Sequence, residues 1–399
     1  MSDPFATDDR DEFQHRVREW FDANAPRKGS DDDFSAIHII SAMTRDEYER
    51  REQHAAEVTR SWQRKLYGAG LAKRSWPVAC GGHGAPQWHD ELIAAEQNNY
   101  GVSNKVFAVG LEMLPAVLLA YGTQDQKLRY LAPVARADEV WCQLLSEPGA
   151  GSDLGSVRTS ATEVDGGWVV NGQKVWTSSA GMADFALLIA RSDAASKRQA
   201  GISCFAMDMR QRGVDVRPLR QMSGGYHFNE VFLDDVFVPA DGLIGGLGDG
   251  WTVLRTMLTS ERAAIGGGTS GRGAVQLVAM ARRLGRASDA NVRQEVATVV
   301  IRERVLDMLM ERVRRPGEVP AAGPIGKLAY SDHARLTAHA ATRILGAAAT
   351  ITDDDEGAFW IERLLFAPGL RIGGGTDEIQ RNNIGEQGLG LPREPKPPL

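Results

Sequence analysis

The run from Cys142 to Ala180, CQLLSEPGAGSDLGSVRTSATEVDGGWVVNGQKVWTSSA, holds the densest chemistry in the chain. It includes Ser146-Glu147-Pro148-Gly149-Ala150-Gly151-Ser152-Asp153, a loop of small residues. Backbone N–H groups there can come close to an anion because little side chain intervenes. About two dozen residues later stands Lys174-Val175-Trp176-Thr177-Ser178-Ser179, a flat indole followed by hydroxyls. A large aromatic with hydrogen-bonding groups beside it suits a planar, polar-edged cofactor such as a flavin. Taken singly, either half reads first as a decorated β-hairpin with a Gly-rich connection.

Between the halves, Asp165-Gly166-Gly167 and Asn171-Gly172 are tight-turn signals flanked by Val/Trp/Thr-rich segments, which places both halves on one antiparallel sheet. Period-two segments continue at Phe185–Ala190, Ile202–Asp208, Val214–Leu219 and Val231–Val238. Residues 10–138 read as mostly helical, with a polar-rich amphipathic stretch at Asp46–Leu71 and an apolar helix carrying Pro115 at Leu111–Tyr121. Helical periodicity returns from Gly250, at Trp251–Gly285, Ala290–Arg314, Ile325–Ala349 and Ala358–Phe366. The Pro-rich tail after Gly390 cannot continue a helix. Helices, then strands, then helices argue for an α+β chain rather than alternating βαβ units, with expected domains at 1–138, 139–241 and 242–399.

Composition narrows the class. A chain of 399 residues can bury a large core and divide into lobes, and 43% hydrophobic with 25% charged residues is ordinary for a globular protein. A net charge of -6 makes no electrostatic case for nucleic acid. The N-terminal residues lack the basic and apolar regions of a signal peptide, and no apolar run approaches membrane-spanning length, so neither secretion nor a membrane is expected. Cys80, Cys142 and Cys204 are an odd set without metal-ligand spacing, which fits a reducing cytoplasm. His333 and His339 lie six apart, on different helix faces, and no metal is expected. Gly266-Gly267-Gly268-Thr269-Ser270-Gly271 fits a dinucleotide-binding pattern, but it follows a helix rather than a strand, so no nicotinamide site is read from it.

Both halves of the central run, in this order, resemble the acyl-CoA dehydrogenase family. Trp76-Pro77 with Gly81-Gly82-His83-Gly84 resembles its N-terminal loop, and Tyr121-Gly122-Thr123-Gln124-Asp125-Gln126-Lys127-Leu128-Arg129-Tyr130-Leu131 the helix leading into its sheet. The segment from Phe228 to Pro239 resembles the strand leaving the sheet, and that from Gly374 to Asn382 the C-terminal active-site segment. The resemblance implies an N-terminal helical domain, a middle antiparallel β domain and a C-terminal four-helix bundle. It also implies an oxidoreductase acting on a CH–CH group: FAD-dependent α,β-dehydrogenation of a coenzyme A thioester, with electrons passed to an electron-transfer flavoprotein.

In that reaction a carboxylate takes the α proton while the β hydrogen leaves as hydride, and hydrogen bonds to the thioester carbonyl stabilise the enolate-like charge. Many members carry the base just before the Gly-Thr of the C-terminal segment. Here Ile372-Gly373-Gly374-Gly375-Thr376 puts Gly374 at that position, so only backbone N–H groups remain there for the thioester, at Gly374 with Gly375 beside it. A subset resembling isovaleryl-CoA dehydrogenase takes its base from a Glu-Arg pair on a bundle helix, which matches Glu261-Arg262 here. Glu261 is therefore the expected base and Arg262 a substrate neighbour; the bland reading of Glu261 is a solvated helical carboxylate.

By the same resemblance Gln143, Leu145, Ser146, Gly151 and Ser152 line the flavin and its pyrophosphate, Ser152 also facing the coenzyme A arm. Trp176 flanks the ring system, with Thr177 and Ser178 near its polar edge. Arg283, Gln294, Arg343 and the turn at Gly346-Ala347 are expected to reach the cofactor from a neighbouring subunit, and Thr376, Asp377 and Glu378 from the C-terminal side. The family's Gly-Gly turn keeps only one glycine, at Gly346. A homodimer or homotetramer is expected, with a hetero-oligomer as the variant. Two competing functions remain at this point: a flavin oxidase or monooxygenase, and a non-catalytic partner subunit of a hetero-oligomer. The glycines at 373–374 and 266–268 lean toward a branched or bulky acyl chain.

Overall fold

A computed structural model describes residues 3–35, 44–196, 198–266, 273–313, 315, 317, 319–350, 355–393 and 395. The chain forms two compact units, one of residues 1–39, 44–220 and 226–257, the other of 40–43, 221–225 and 258–399.

The first unit begins with helices α1 (Arg10–Asn24), α2 (Arg45–Gly68), α3 (Gln87–Gln97), α4 (Leu114–Tyr121) and α5 (Gln124–Ala135). Thr44 and Thr123 start α2 and α5 with capping boxes, the side chains of Glu47 and Gln126 returning to the cap backbone. The expected Leu111–Tyr121 helix is split: Val109–Met113 forms a π turn, and α4 proper starts at Leu114 with Pro115 in its first turn, where a missing N–H costs nothing. Eight strands follow: β1 (Trp141–Leu144), β2 (Ser160–Val164), β3 (Gly167–Ser178), β4 (Phe185–Arg191), β5 (Ile202–Asp208), β6 (Val214–Leu219), β7 (Phe228–Pro239) and β8 (Leu243–Ile244). They form one sheet in the order β6-β7-β3-β2-β4-β5-β8, with β1 also on β4. The sheet is mixed, because β1 runs parallel to β4 and Ser160 of β2 also pairs in parallel with Arg191. β1 and β2 thus occupy one edge of β4, and the chain between them, 145–159, leaves the sheet there.

The two turn signals part company. Asp165-Gly166 is a two-residue hairpin turn closed by Val164 opposite Gly167, with Gly166 at φ +80°. Asn171-Gly172 is no turn: β3 runs straight through it with a register shift against β7. A Cβ on Gly172 would lie 2.5 Å from Thr159 Oγ1, so glycine serves close approach here. Asn171 reaches across to Asp235, donating from Nδ2 to Oδ1 (2.9 Å) and accepting from the backbone N–H (2.9 Å).

Where α5 meets the sheet, Trp141 and Phe185 stack and Tyr130 meets both edge-on, and Gln126 donates to the carbonyls of Asp241 (2.6 Å) and Leu243 (2.7 Å). Helix α5 and the sheet thus pack together within this unit, while α1, α2 and α3 enclose a cluster of their own around Phe13, Phe21 and Trp62.

α6 (Gly250–Gly266) leads to the second unit, which holds α7 (Ala274–Arg283), α8 (Ala290–Val313), α9 (Ala322–Leu345), α10 (Asp355–Ile372) and α11 (Asp377–Asn383). The expected helix over Trp251–Gly285 is two helices. The glycine run at 267–271 lies outside the described residues, and α7 restarts with Glu303 accepting from the N–H groups of Gly273 and Ala274 (3.0 Å each). α9 ends at Leu345 rather than Ala349, because Gly346 takes a positive φ of +62° that breaks the helix. Alanines 338, 340 and 341 of α9 are buried, and the core joins Ile344, Val299, Leu277 and Trp360. Among the described residues no helix is long and apolar enough to cross a membrane.

Candidate active site

The loop after β1 is held by a buried ion pair. Glu147 turns back on Ala150 through two backbone bonds, Glu147 N–H to Ala150 O (3.1 Å) and Ala150 N–H to Glu147 O (3.0 Å). Its carboxylate accepts from the Lys174 ammonium on β3 (Oε1, 2.9 Å), from Thr159 N–H (Oε1, 2.9 Å) and from Arg158 N–H (Oε2, 2.7 Å). Lys174 is wholly buried and also donates to Leu145 O (3.0 Å), while Val175 N–H donates to Ser146 O (2.9 Å). Burial by itself would raise the Glu147 pKa, but the Lys174 charge and the hydrogen bonds turn the shift downward. Burial pushes Lys174 down to about 8, against the pull of Glu147.

The backbone so held is bare. A Cβ added to Gly149 or Gly151 would meet nothing within 4 Å, and neither glycine has a positive φ. Their lack of side chain is thus unexplained by the chain's own packing. Ser152 is exposed and Ser146 half-buried. Leu145 is buried and Gln143 half-buried, and the side-chain Oε1 of Gln143 is buried without a hydrogen-bond partner.

Trp176 stands out of β3. Lys174 pairs with Val231 and Thr177 with Asn229, so three steps on β3 match two on β7, and Trp176 occupies the resulting bulge at φ +63°. It is 60% exposed and touches Phe228 edge-on, at 5.8 Å between centroids. A left-handed tryptophan costs about 1–2 kcal/mol relative to ordinary backbone. Thr177 is 1% exposed, its hydroxyl is without a partner, and its carbonyl accepts from Asn229 Nδ2 (3.0 Å). Ser178 is half-buried and lies 3.3 Å from His227 Nε2; burial lowers that imidazole to about 4, so it is neutral near pH 7.

In the second unit the C-terminal segment has its own clamp. Gly374 and Gly375 are consecutive left-handed residues at φ +66° and +85°. Buried Gln380 donates to Gly374 O (2.7 Å), and a Cβ on Gly375 would collide with its Nε2. Thr376 caps α11, accepting from Ile379 N–H (3.2 Å). Asp377, 2% exposed, accepts from Lys327 Nζ (2.9 Å), Ser331 Oγ (2.9 Å) and Arg371 Nε (2.6 Å). Burial would raise its pKa, but Arg371, Lys327 and Ser331 together lower it. Asp377 is thus committed to structure, and Glu378 is exposed beside Arg381 (3.4 Å). Glu261 is half-buried on α6; the Arg262 side chain lies outside the described residues.

The residues expected to serve a neighbouring subunit are on the surface of this unit. Arg283, Gln294, Arg343, Gly346 and Ala347 are exposed. Arg343 forks onto Glu295, Nε to Oε1 at 2.9 Å and Nη2 to Oε2 at 3.1 Å. Arg286 bonds the Ile344 carbonyl, tying the end of α7 to the end of α9.

The structure brings Gln143–Ser152 together with the Trp176 strand, through residues the motif reading passed over. Glu147 and Lys174 stand inside the two motifs, and a charge pair flanking a Gly-rich loop was the available signal. Lys327 and Gln380 carry no local signal, since their partners are 50 residues away for Lys327 and only a bare glycine backbone for Gln380. Among the described residues no cluster of metal-ligating side chains occurs, and all three cysteines are buried and free.

Helices, then an eight-stranded mixed sheet, then a second helical unit follow the domain order that the resemblance implies. Residues 34–138, 142–236 and 248–389 match the N-terminal, middle and C-terminal domains of acyl-CoA dehydrogenase. The chain is 36% identical over 397 residues to acyl-CoA dehydrogenase IpdE1 of Mycobacterium tuberculosis, covering 97% of this chain and 99% of that protein. Among solved structures it resembles the Tcur3481–Tcur3483 steroid ACAD (TM-score 0.77, 25% identity, 96% of this chain and 98% of that one). It also resembles the ChsE4–ChsE5 complex of M. tuberculosis (TM-score 0.75, 26% identity, 98% and 99%). The chain belongs to the acyl-CoA dehydrogenase family and is an acyl-CoA dehydrogenase, an oxidoreductase acting on a CH–CH group.

Proposed function

We propose that this chain binds FAD on the loop Gln143–Ser152 and the Trp176 strand, and that Glu261 removes the α proton of an acyl-CoA thioester. The observation that carries the reading is the bare, open backbone at Gly149 and Gly151, held on the strand that projects Trp176. The fit to a flavin rests on three features of the first unit. The glycines leave N–H groups accessible to a pyrophosphate, the orphan Gln143 side-chain Oε1 is an acceptor for a ring or ribose donor, and Trp176 is a flat, exposed apolar wall. When bound, FAD supplies the two-electron acceptor for the β hydrogen. Ser152, at the open end of the loop, faces the coenzyme A arm. Leu145, Ser146 and Thr177 complete the first-unit set.

Glu261 is favoured as base by its place in the Glu-Arg pair at 261–262, and the C-terminal segment offers no better candidate. Position 374 has no side chain, Asp377 is held charged by two cations, and Glu378 lies on the surface with Arg381. Arg262 borders the substrate, and the N–H groups of Gly374 and Gly375 receive the thioester oxygen. Arg283, Gln294, Arg343, Gly346 and Ala347 reach the FAD of a neighbouring subunit, with Thr376 and Glu378 nearby, which makes the chain at least a dimer. Electrons then pass to an electron-transfer flavoprotein. The domains divide at 1–138, 139–241 and 242–399, and the compartment is the cytoplasm. A hetero-oligomer is the second reading, favoured because two similar solved structures are named as pairs of chains. Purification of the chain alone with stoichiometric FAD, bleached anaerobically by a panel of acyl-CoA thioesters, tests the proposal. Absence of bleaching by any thioester, in a yellow protein, would overturn the catalytic assignment and favour a partner-subunit role.

A further inference from the structure

We propose that Lys174 and Glu147 are positioning residues: their buried pair sets the spacing between the bare loop and Trp176, and thereby the affinity for the flavin. This rests on the flavin reading above. The pair sits where both ends of the excursion 145–159 return to β3. Leu145 O, at its entry, is bound by Lys174 Nζ; Arg158 and Thr159 N–H, at its exit, are bound by Glu147. Lys174 is also the last residue of β3 in register with β7 before the bulge that turns Trp176 outward. One salt bridge therefore joins loop entry, loop exit and bulge.

A buried ion pair is a poor way to gain stability, since apolar residues of equal volume often serve as well or better. What an apolar pair could not do is satisfy a carbonyl and two N–H groups while fixing a single loop conformation. The glycines leave that loop free to adopt others. The lowered Lys174 pKa agrees with a charge retained against its own solvation preference.

The test uses the full chain, stripped of FAD and titrated with FAD by flavin fluorescence. The variants are Lys174→Met and Glu147→Gln. Trp176→Ala serves as a direct-contact control. Met207→Ala, a core change on β5 with side chain wholly buried, serves as a control for lost stability. Amide exchange of residues 146–159 and 174–178 in the FAD-free protein is the second readout. Both clamp variants should weaken FAD binding about ten-fold or more beyond Met207→Ala at matched unfolding temperature, and should speed exchange in those segments. Glu147→Gln keeps the shape but replaces one of two acceptor oxygens by a donor, so it carries the test if Lys174→Met does not fold. FAD binding no weaker than in the matched core variant, or unchanged exchange in 146–159, would overturn the proposal. If Trp176→Ala also binds FAD like the parent, the flavin site itself falls. If Trp176→Ala weakens binding and the clamp variants do not, the clamp alone falls.

Discussion

Lys174 and Lys327 are both wholly buried, and both close on a carboxylate at 2.9 Å, yet they solve different problems. Glu147 has one cation and two backbone N–H groups, so its charge is shared with the loop it holds. Asp377 has two cations and a hydroxyl, all from side chains, and its partners lie on α9 and at the end of α10. The first clamp fixes backbone that is uncovered at Gly149 and Gly151; the second fixes the start of a helix behind a two-glycine turn. Redundancy follows from this difference. Removing Lys174 leaves Glu147 without a counter-charge, whereas removing Lys327 leaves Asp377 with Arg371.

The largest effect should separate chemistry from holding. Glu261→Gln touches neither clamp, so FAD content and unfolding temperature should stay near the parent's. Flavin reduction by a turned-over acyl-CoA should nevertheless slow by about two to four orders of magnitude in stopped flow. Near-normal reduction would remove Glu261 from the mechanism.

Next come the clamps themselves. Lys174→Met should cost about 3–5 kcal/mol in denaturant unfolding, the usual result of stranding a buried charge. Lys327→Met, with Arg371 still in place, should cost about 1–3 kcal/mol. Equal losses would show that Arg371 does not back up its clamp.

Acid should weaken both together. Glu147 and Asp377 have folded pKa values below their ordinary 4.5 and 3.8, so the unfolded chain takes up protons first as pH falls. Their contribution is present above the ordinary values and is lost as pH drops through the lowered ones. Unfolding free energy measured from pH 6 downward should therefore bend down below about pH 4. In Lys174→Met the Glu147 part of the bend should shrink or reverse, because without the Lys174 charge burial brings its folded pKa back up toward or past the unfolded value.

Smaller effects distinguish open backbone from packed backbone. Trp176→Ala should leave the FAD-free protein about as stable, since the indole is 60% exposed, but weaken FAD binding by about 1–3 kcal/mol. Gly149→Ala should change FAD-free stability by less than about 0.5 kcal/mol, because its Cβ meets nothing. Gly375→Ala, left-handed and against Gln380, should destabilise by about 1–3 kcal/mol. Differential scanning of the two glycine-to-alanine variants is sufficient to rank them.

Much of the molecule was legible along the chain. Period-two segments marked the strands, 3.6-residue periodicity the helices, and Gly-rich runs the loops, because each reflects local geometry that repeats within a few residues. Asp165-Gly166 closed the hairpin that its residues prescribe. Asn171-Gly172 has equally good turn chemistry and lies within a strand, because Thr159 crowds it and Asp235 takes its side chain. Those neighbours are set by sheet register, which no window of a dozen residues contains.

Residue types alone determined the absence of a carboxylate at position 374, the small-residue loop, the indole followed by hydroxyls, and the presence of a Glu-Arg pair at 261–262. These are statements about what chemistry is possible, and they survive any fold. Only the tertiary structure decided which charges are used up. Asp377, beside Glu378 in sequence, is buried against Lys327, 50 residues away, while Glu378 stays on the surface. Lys174 turns from a polar residue on a strand into the fastening of a loop, because Glu147, 27 residues earlier, is brought beneath it. The physical reason is common to both: a charge acquires its role from the partners and burial that folding assembles, and those come from parts of the chain far from it in sequence.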